Sequence, residues 1–358
     1  MKNTAKLFLL LLIIPLAIFA AEKEGKYTKT KVIDKTFNVT KEATLNVSNK
    51  YGNIDIVTWD ENKITVTVKI TTNGDDEDKV KKRLEEITVE FDANSSYVSA
   101  KTMIEKNSAS WNLWGKNNNV NMEINYQIKM PLTNNVNLTN DYGGINLNKL
   151  AGSAKINCDY GKLNIGELLN ASNSINIDYT NNSTISYMKN GNVNADYSTL
   201  RIDKSGKIDL NADYSHISFG TIAQLNYSCD YGSLKIGDAE NLNGTSDYMN
   251  LTIDKLLIIG VFNLDYGSLK IEELGEHLKD LKLQSSYTHV KLGLHPNGSF
   301  DITAALSYSG FKHGDHFTFN KEIEKPTSKY YEGYYNSPNS GSQISIKSSY
   351  GSISFNNN

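Results

Sequence analysis

The chain has 358 residues, with 37 Lys and Arg against 40 Asp and Glu and a formal charge of −3 at pH 7. Only two of its residues are arginine, Arg83 and Arg201. A near-neutral chain so poor in arginine lacks the clustered basic face that nucleic acid demands, and the planar forks that usually hold phosphate or carboxylate substrates.

Residues 1–21 have the pattern of a signal peptide. Lys2 and Lys6 form a basic start, Leu7 to Phe19 an apolar run, and Ala20 and Ala21 a small-residue cleavage site. The run is shorter than the ~20 apolar residues of a spanning helix. No later segment is a better candidate, since the most apolar one, Leu256 to Phe262, is shorter still. The mature protein is expected to be exported, to the periplasm or to the cell surface or exterior, and not to span a membrane.

Residues 22–130 are expected to form an N-terminal β-rich cap. One copy of a template that recurs further on, apolar-x-apolar around Tyr51-Gly52, lies between Leu45 and Val57. Ile64, Val66, Val68 and Ile70 then alternate as a strand does. Asp75 to Ile87 has the one helical pattern, with an acidic start and Val80, Leu84 and Ile87 on one face. Strands follow around Ile87–Phe91, Tyr97–Ile104 and Val120–Met130. Between the last two, a polar loop from Asn107 to Asn119 carries Trp111 and Trp114, candidate binding aromatics with no evident place to be buried.

Residues 131–308 are regular. The template apolar-x-apolar-x-small-Asp-Tyr-Gly-x-apolar-x-apolar is anchored on Tyr142, Tyr160, Tyr179, Tyr197, Tyr214, Tyr231, Tyr248, Tyr266, Tyr287 and Tyr308, with further anchors at Tyr51 and Tyr350. From Tyr142 to Tyr266 the spacing is 17 to 19 residues, the mark of a stacked-repeat architecture. Apolar residues fill even positions before the tyrosine (Leu138, Ile156, Ile175, Val193, Leu210) and odd positions after it (Ile145, Leu163, Leu200, Ile217, Leu234). This parity switch predicts two short strands with a bend between them, both turning their apolar faces inward. Equal units of this kind bring equivalent strands together in parallel. The predicted fold is all-β: a parallel β-solenoid of the right-handed β-helix type, with about ten to twelve short coils stacked ~4.8 Å apart. An antiparallel meander is the competing arrangement. Asn182 and Thr184 interrupt the apolar pair after Tyr179, so a local bulge or slip is expected there.

Two columns of the repeat invite functional readings. Asp141, Asp159, Asp178, Asp196, Asp213, Asp230, Asp247 and Asp265 stand in an unbroken row before the tyrosines. Such a row suits calcium or a carbohydrate groove, but repetition in every coil favours a structural ladder in which each Asp accepts hydrogen bonds from the bend that follows it. Calcium is accordingly not expected to raise the melting temperature. The tyrosines either plug the bends or form an exposed aromatic ladder, and the first role is preferred. Cys158 and Cys229 fall four repeats apart at the same template position, roughly 19 Å on this spacing, against the ~7 Å between Cα atoms that a disulfide allows. Two buried, unpaired thiols are expected.

Residues 309–358 hold an aromatic insertion and the final coil. Tyr330, Tyr331, Tyr334 and Tyr335 lie between Pro326 and Pro338, as an adhesive surface or as a flap over the solenoid. His313, Asp315 and His316 sit together, but zinc would need further ligands at matching offsets. No catalytic residue, metal or cofactor is expected.

The segments Ser48-Asn49-Lys50-Tyr51-Gly52-Asn53-Ile54-Asp55-Ile56, Lys129-Met130-Pro131 leading into Asn140-Asp141-Tyr142-Gly143, and the Asp-Tyr-Gly-x-Leu-x-Ile coils resemble a bacterial putative-adhesin family. The resemblance covers nearly all the mature chain. It implies β-helical domains of unknown function, similar to auto-transporter adhesin heads, and no catalytic residues. The expected function is a non-enzymatic envelope or surface protein that offers a rigid binding surface to a glycan or to an envelope or surface protein. The alternatives are a carbohydrate-active enzyme of β-helix type and a periplasmic structural or stress-linked factor.

Overall fold

The structure, a computed structural model, describes residues 25–105 and 120–357. The predicted signal region and the loop bearing Trp111 and Trp114 lie outside the described residues. Within them the protein is all-β, with the single helix Glu77–Glu85 and strands joined in one open, 22-stranded sheet.

The alternation in each repeat builds two parallel ladders. Before the tyrosines, Thr44–Lys50, Asn135–Asp141, Ala154–Asp159 and Ser174–Asp178 pair in register, so that Val47, Leu138, Ile156 and Ile175 stand in one line that continues through Val193, Leu210 and Tyr227. After the tyrosines, Ile54 pairs with Ile145 and Ile145 with Leu163, and further along Leu200 pairs with Ile217. These lines are buried and form one continuous apolar core. Side-chain sizes adjust from repeat to repeat. The Tyr227 ring projects along the core toward Gly244, the next member of its column, where a Cβ would lie 2.4 Å from the ring.

The irregular repeat contains a slip. Ser183 pairs with Leu200 and Ile185 with Ile202, one position later than the template has it. Asn182, at φ 55°, absorbs the extra residue in a left-handed conformation that Asn tolerates. Ser183 takes an apolar position, and its Oγ accepts the Leu163 N–H at 3.0 Å.

Both ends finish in antiparallel strands. At the N-terminal end, Tyr27–Asn38 pairs with Lys63–Gly74, which pairs with Asn121–Pro131; Ile87–Ala93 pairs with Tyr97–Ile104. The helix is shorter than its sequence pattern suggests. Asp76 caps it by accepting the Lys79 N–H at 3.2 Å, Val80 is its buried residue, and Ile87 already belongs to the next strand. The outer strand Tyr27–Asn38 carries Lys29, Lys31 and Lys35, charges that discourage further strand addition at an edge.

The C-terminal end departs from chain order. Gln343–Ser349 lies between Asp280–Leu294 and Phe300–Ser307, parallel to both, and Ser352–Asn357 lies between Asp280–Leu294 and Gly310–Lys312. The last repeat is thus wedged inside the stack. Ser328–Tyr335 then covers Phe300–Ser307 in antiparallel fashion, and Phe317–Lys325 forms the outermost strand.

Candidate functional site

The corner of each repeat is built on an uncommon backbone state. All twelve anchor tyrosines have φ between 49° and 62°. A single left-handed residue between two extended stretches turns the chain sharply, which is what the parity switch requires. For a residue with a Cβ this conformation costs about 1–2 kcal/mol. The corner is secured by hydrogen bonds to the next repeat: the N–H groups of Tyr142, Tyr160 and Tyr179 donate to the carbonyls of Asp159, Asp178 and Asp196 at 2.9, 3.0 and 3.1 Å. The following residue points inward. Gly143 and Gly161 occupy that place because a Cβ there would lie 1.8 and 2.0 Å from the carbonyl oxygen of the neighbouring repeat. Elsewhere a buried hydroxyl does so, as at Ser215, whose Oγ donates to the Ala195 and Asp213 carbonyls.

Outside the corner the rings form one stack. Its order is Tyr51, Tyr142, Tyr160, Tyr179, Tyr197, Tyr214, Tyr231, Tyr248, Tyr266, Tyr287, Tyr350, Tyr308, with centroids 4.8–5.2 Å apart and planes within 1–11° of parallel. The tyrosines are 37–59% exposed, so the column is a solvent-facing ladder rather than the plug preferred from sequence. Its chemistry is narrower than a free aromatic surface, however. Neighbouring rings cover each other's faces, and the interior members offer edges and hydroxyls only. Partial burial, and then the flanking phenols and aspartates, raise the pKa of Tyr197, Tyr231 and Tyr266 above the ordinary phenol range, so these hydroxyls stay protonated.

The aspartates run beside the rings. Where their side chains bond to backbone they reach across to the next repeat, and not into the following bend as the sequence reading has it: Asp196 Oδ1 accepts the Asp213 N–H at 3.3 Å, and Asp230 Oδ1 accepts the Asp247 N–H at 3.1 Å. At one end Lys50 closes the row with an ion pair to Asp141 at 2.6 Å. Desolvation first, and flanking carboxylates second, hold Asp159, Asp213 and Asp247 above the usual carboxylate range. Between the unfolded value near 4 and the raised folded value the folded chain binds more protons than the unfolded chain, so these groups oppose stability at neutral pH and cease to do so as pH falls through that interval. Asp76 and Glu324, lowered by hydrogen bonds, act in the opposite sense. The expected result is that Asp213→Asn raises the melting temperature at pH 7 and not at pH 4. An equal change at both pH values in a thermal scan would contradict the assignment. Among the described residues no three His, Cys, Asp or Glu side chains converge as a metal-ligand set.

Cys158 and Cys229 are both buried and unpaired, and burial pushes both thiols up to about 12. A thiol-specific disulfide reagent at pH 8 is expected to titrate neither in the native protein and both after unfolding. Fast reaction of either native thiol would contradict the placement.

The aromatic candidates of the insertion separate by strand face. Tyr331 and Tyr335, each 3% exposed, belong to the core and not to a binding surface. They pack in an aromatic cluster, Tyr331 at 4.7 Å from Phe311 and Tyr335 at 5.1 Å from Phe317. Tyr330 and Tyr334 lie half-buried on the other face of the strand. His313 packs its ring on Phe319 at 4.9 Å, and His316 lies 6.2 Å from Tyr335. The column reading passes over one feature that is visible in the sequence. In the final three repeats Ser286, Ser307 and Ser349 replace the aspartate before the tyrosine.

No family model and no curated protein matches the chain. Among solved structures, it is similar to a putative cell adhesion protein from Clostridium sporogenes at 12% identity and a TM-score of 0.19, covering 92% of this chain and 100% of that one. It is also similar to a putative adhesin from Bacteroides fragilis, at 12% identity and a TM-score of 0.23 over 91% and 97% of the two chains. A putative lipid binding protein from Parabacteroides distasonis gives 8% identity and a TM-score of 0.26 over 93% and 98%. Likeness at this level assigns neither a fold nor a function to the chain.

Proposed function

We propose that this chain is an exported, non-enzymatic binding protein of the cell envelope or surface. Its repeats form a parallel β-solenoid that holds one ruled edge, tyrosine beside aspartate, toward a glycan or a surface protein. The observation that carries this reading is the uniformity of the edge: twelve stacked, exposed tyrosines at a spacing of 4.8–5.2 Å. Catalysis calls for one constellation held apart from the rest, whereas a periodic edge multiplies weak, equivalent contacts along an extended partner. The resemblance of the Asp-Tyr-Gly coils to adhesin repeats agrees with this reading. The test is a glycan array together with pull-down from envelope fractions, both with and without calcium. Saturable binding to a defined sugar class or envelope protein is expected, without dependence on calcium. Absence of binding to every glycan and fraction, or product release from a polysaccharide abolished by changing one aspartate alone, would overturn the proposal.

A further inference from the structure

The ruled edge is acidic along most of its length and loses its carboxylates at its C-terminal end. There a groove of about 680 Å³ opens between the last strands of the stack and the covering hairpin. Three lysines line it, Lys325, Lys329 and Lys347, and no acidic residue does. Lys329 shares its charge with Glu324 at 3.0 Å, while Lys325 and Lys347 hold no ion pair among the described residues. Lys347 stands at the centre of the floor, in register between Gln284 on one side and Ala305 on the other. The short Ala305 stands in the same cross-strand row, between Lys347 and Tyr330. Ser286, Ser307 and Ser349, which replace the aspartate of the other repeats, line the same groove. Ser286 and Ser349 hydroxyls lie 2.9 Å apart and form a hydrogen-bonding rail. Tyr330 and Ile323 supply an apolar wall. The Tyr330 hydroxyl donates to Glu332 at 3.0 Å, and Lys321 Nζ lies 5.2 Å from its ring centroid.

Two independent features therefore coincide: the loss of the aspartate column and the gathering of lysines. We propose that this groove is a binding site for an acidic saccharide, a uronate-bearing chain, whose carboxylates meet Lys325 and Lys347 and whose hydroxyls meet the serine rail. The volume lies in the range of ordinary small-ligand sites. A free inorganic anion would leave the apolar wall and most of the serine hydroxyls unused. Lysine, a compact point charge, suits a carboxylate met at the end of a row of hydroxyls and does not require the bidentate geometry of arginine. The proposal rests on the reading of this chain as a glycan-binding protein and gives it a ligand class and a place.

The experiment is calorimetric titration of the full chain with a tetragalacturonate, a neutral cello-oligosaccharide of equal length, and inorganic phosphate. Saturable binding of the uronate oligomer, weakening with salt and absent for the neutral sugar, is the expected result. Lys347→Gln and Ser349→Asp are each expected to weaken it about tenfold or more, as loss of a charge-assisted contact does. Ser349→Asp places there the residue that eight other repeats carry, so the fold accommodates it, and a single cooperative thermal transition well above the assay temperature checks this. Lys255→Gln, paired with Glu273 elsewhere on the chain, is expected to have no effect. Equal affinity in the groove variants would overturn the site while leaving glycan binding intact. Full competition by phosphate would overturn the saccharide as its ligand. Failure of the uronate oligomer to bind, with other glycans bound on the array, would overturn the ligand class alone.

Discussion

Removing residues 343–358 is expected to unfold the C-terminal end of the protein, and not merely to shorten it by one repeat. In chain order these residues come last, but in space they fill the gap between Asp280–Leu294 and Phe300–Lys312. Ile344, Ile346, Ile353 and Phe355 are buried there, each no more than 3% exposed. At about 1.5–3 kcal/mol for each side chain, their removal costs roughly 6–12 kcal/mol before the ladder hydrogen bonds on both sides are counted. That is comparable with the whole stability of many domains, about 5–15 kcal/mol. The Tyr287–Tyr350–Tyr308 segment of the ring stack would be broken at the same time. Thermal melting and hydrogen exchange read the outcome. A truncated chain that melts within a few degrees of the full one, with 300–312 protected against exchange, would mean that these strands re-pair directly on 280–294 and that the wedge is dispensable.

The second large effect is expected at an interior tyrosine of the ladder. Tyr214 stacks on Tyr197 and Tyr231 at 4.9 and 4.8 Å. Two such contacts are worth roughly 1–3 kcal/mol, which offsets the cost of holding a residue with a Cβ at φ 52°. Tyr214→Ala removes the contacts and keeps the strained backbone, so it should destabilise by roughly that full amount. Tyr214→Gly removes both contacts and strain, and should be about 1 kcal/mol less destabilising than the alanine variant. Tyr214→Phe should be near neutral, since the hydroxyl faces solvent. Denaturant melts of the three variants check the order. Alanine equal to glycine would mean that the corner carries no strain, and alanine equal to tyrosine that the stack contributes nothing.

These two expectations differ in how far the sequence anticipated them. Tyr214 and its equivalents were legible as a column with a bend, because parity of apolar residues directly records which way a strand faces. The sign of φ was not legible. Left-handed corners usually carry Gly or Asn, and here the stacking of a neighbour 4.8–5.2 Å away, unseen in any one repeat, makes tyrosine tolerable. The wedge was illegible for a related reason. Residues 300–312 and 343–357 carry the same template, so local pattern gives no preference for which of them stacks on 280–294.

The candidate sites divide along the same line. Tyr330, Tyr331, Tyr334 and Tyr335 look alike in sequence, yet pairing of Ser328–Tyr335 with Phe300–Ser307 turns Tyr331 and Tyr335 into the aromatic core and leaves the other two outside. The Asp-to-Ser change was written in the sequence. Its company of Lys325, Lys329 and Lys347 was not, because those residues come from three strands that come together only when the hairpin pairs on Phe300–Ser307 beside the last repeat. The sequence by itself determined the repeat, the inward and outward faces, the parallel alignment of equivalent strands and the unpaired thiols, all of which follow from short-range periodicity. The tertiary structure alone decided the order of the final strands, the exposure of the ring stack and the position of the basic groove, because each depends on which of several equivalent edges a strand meets.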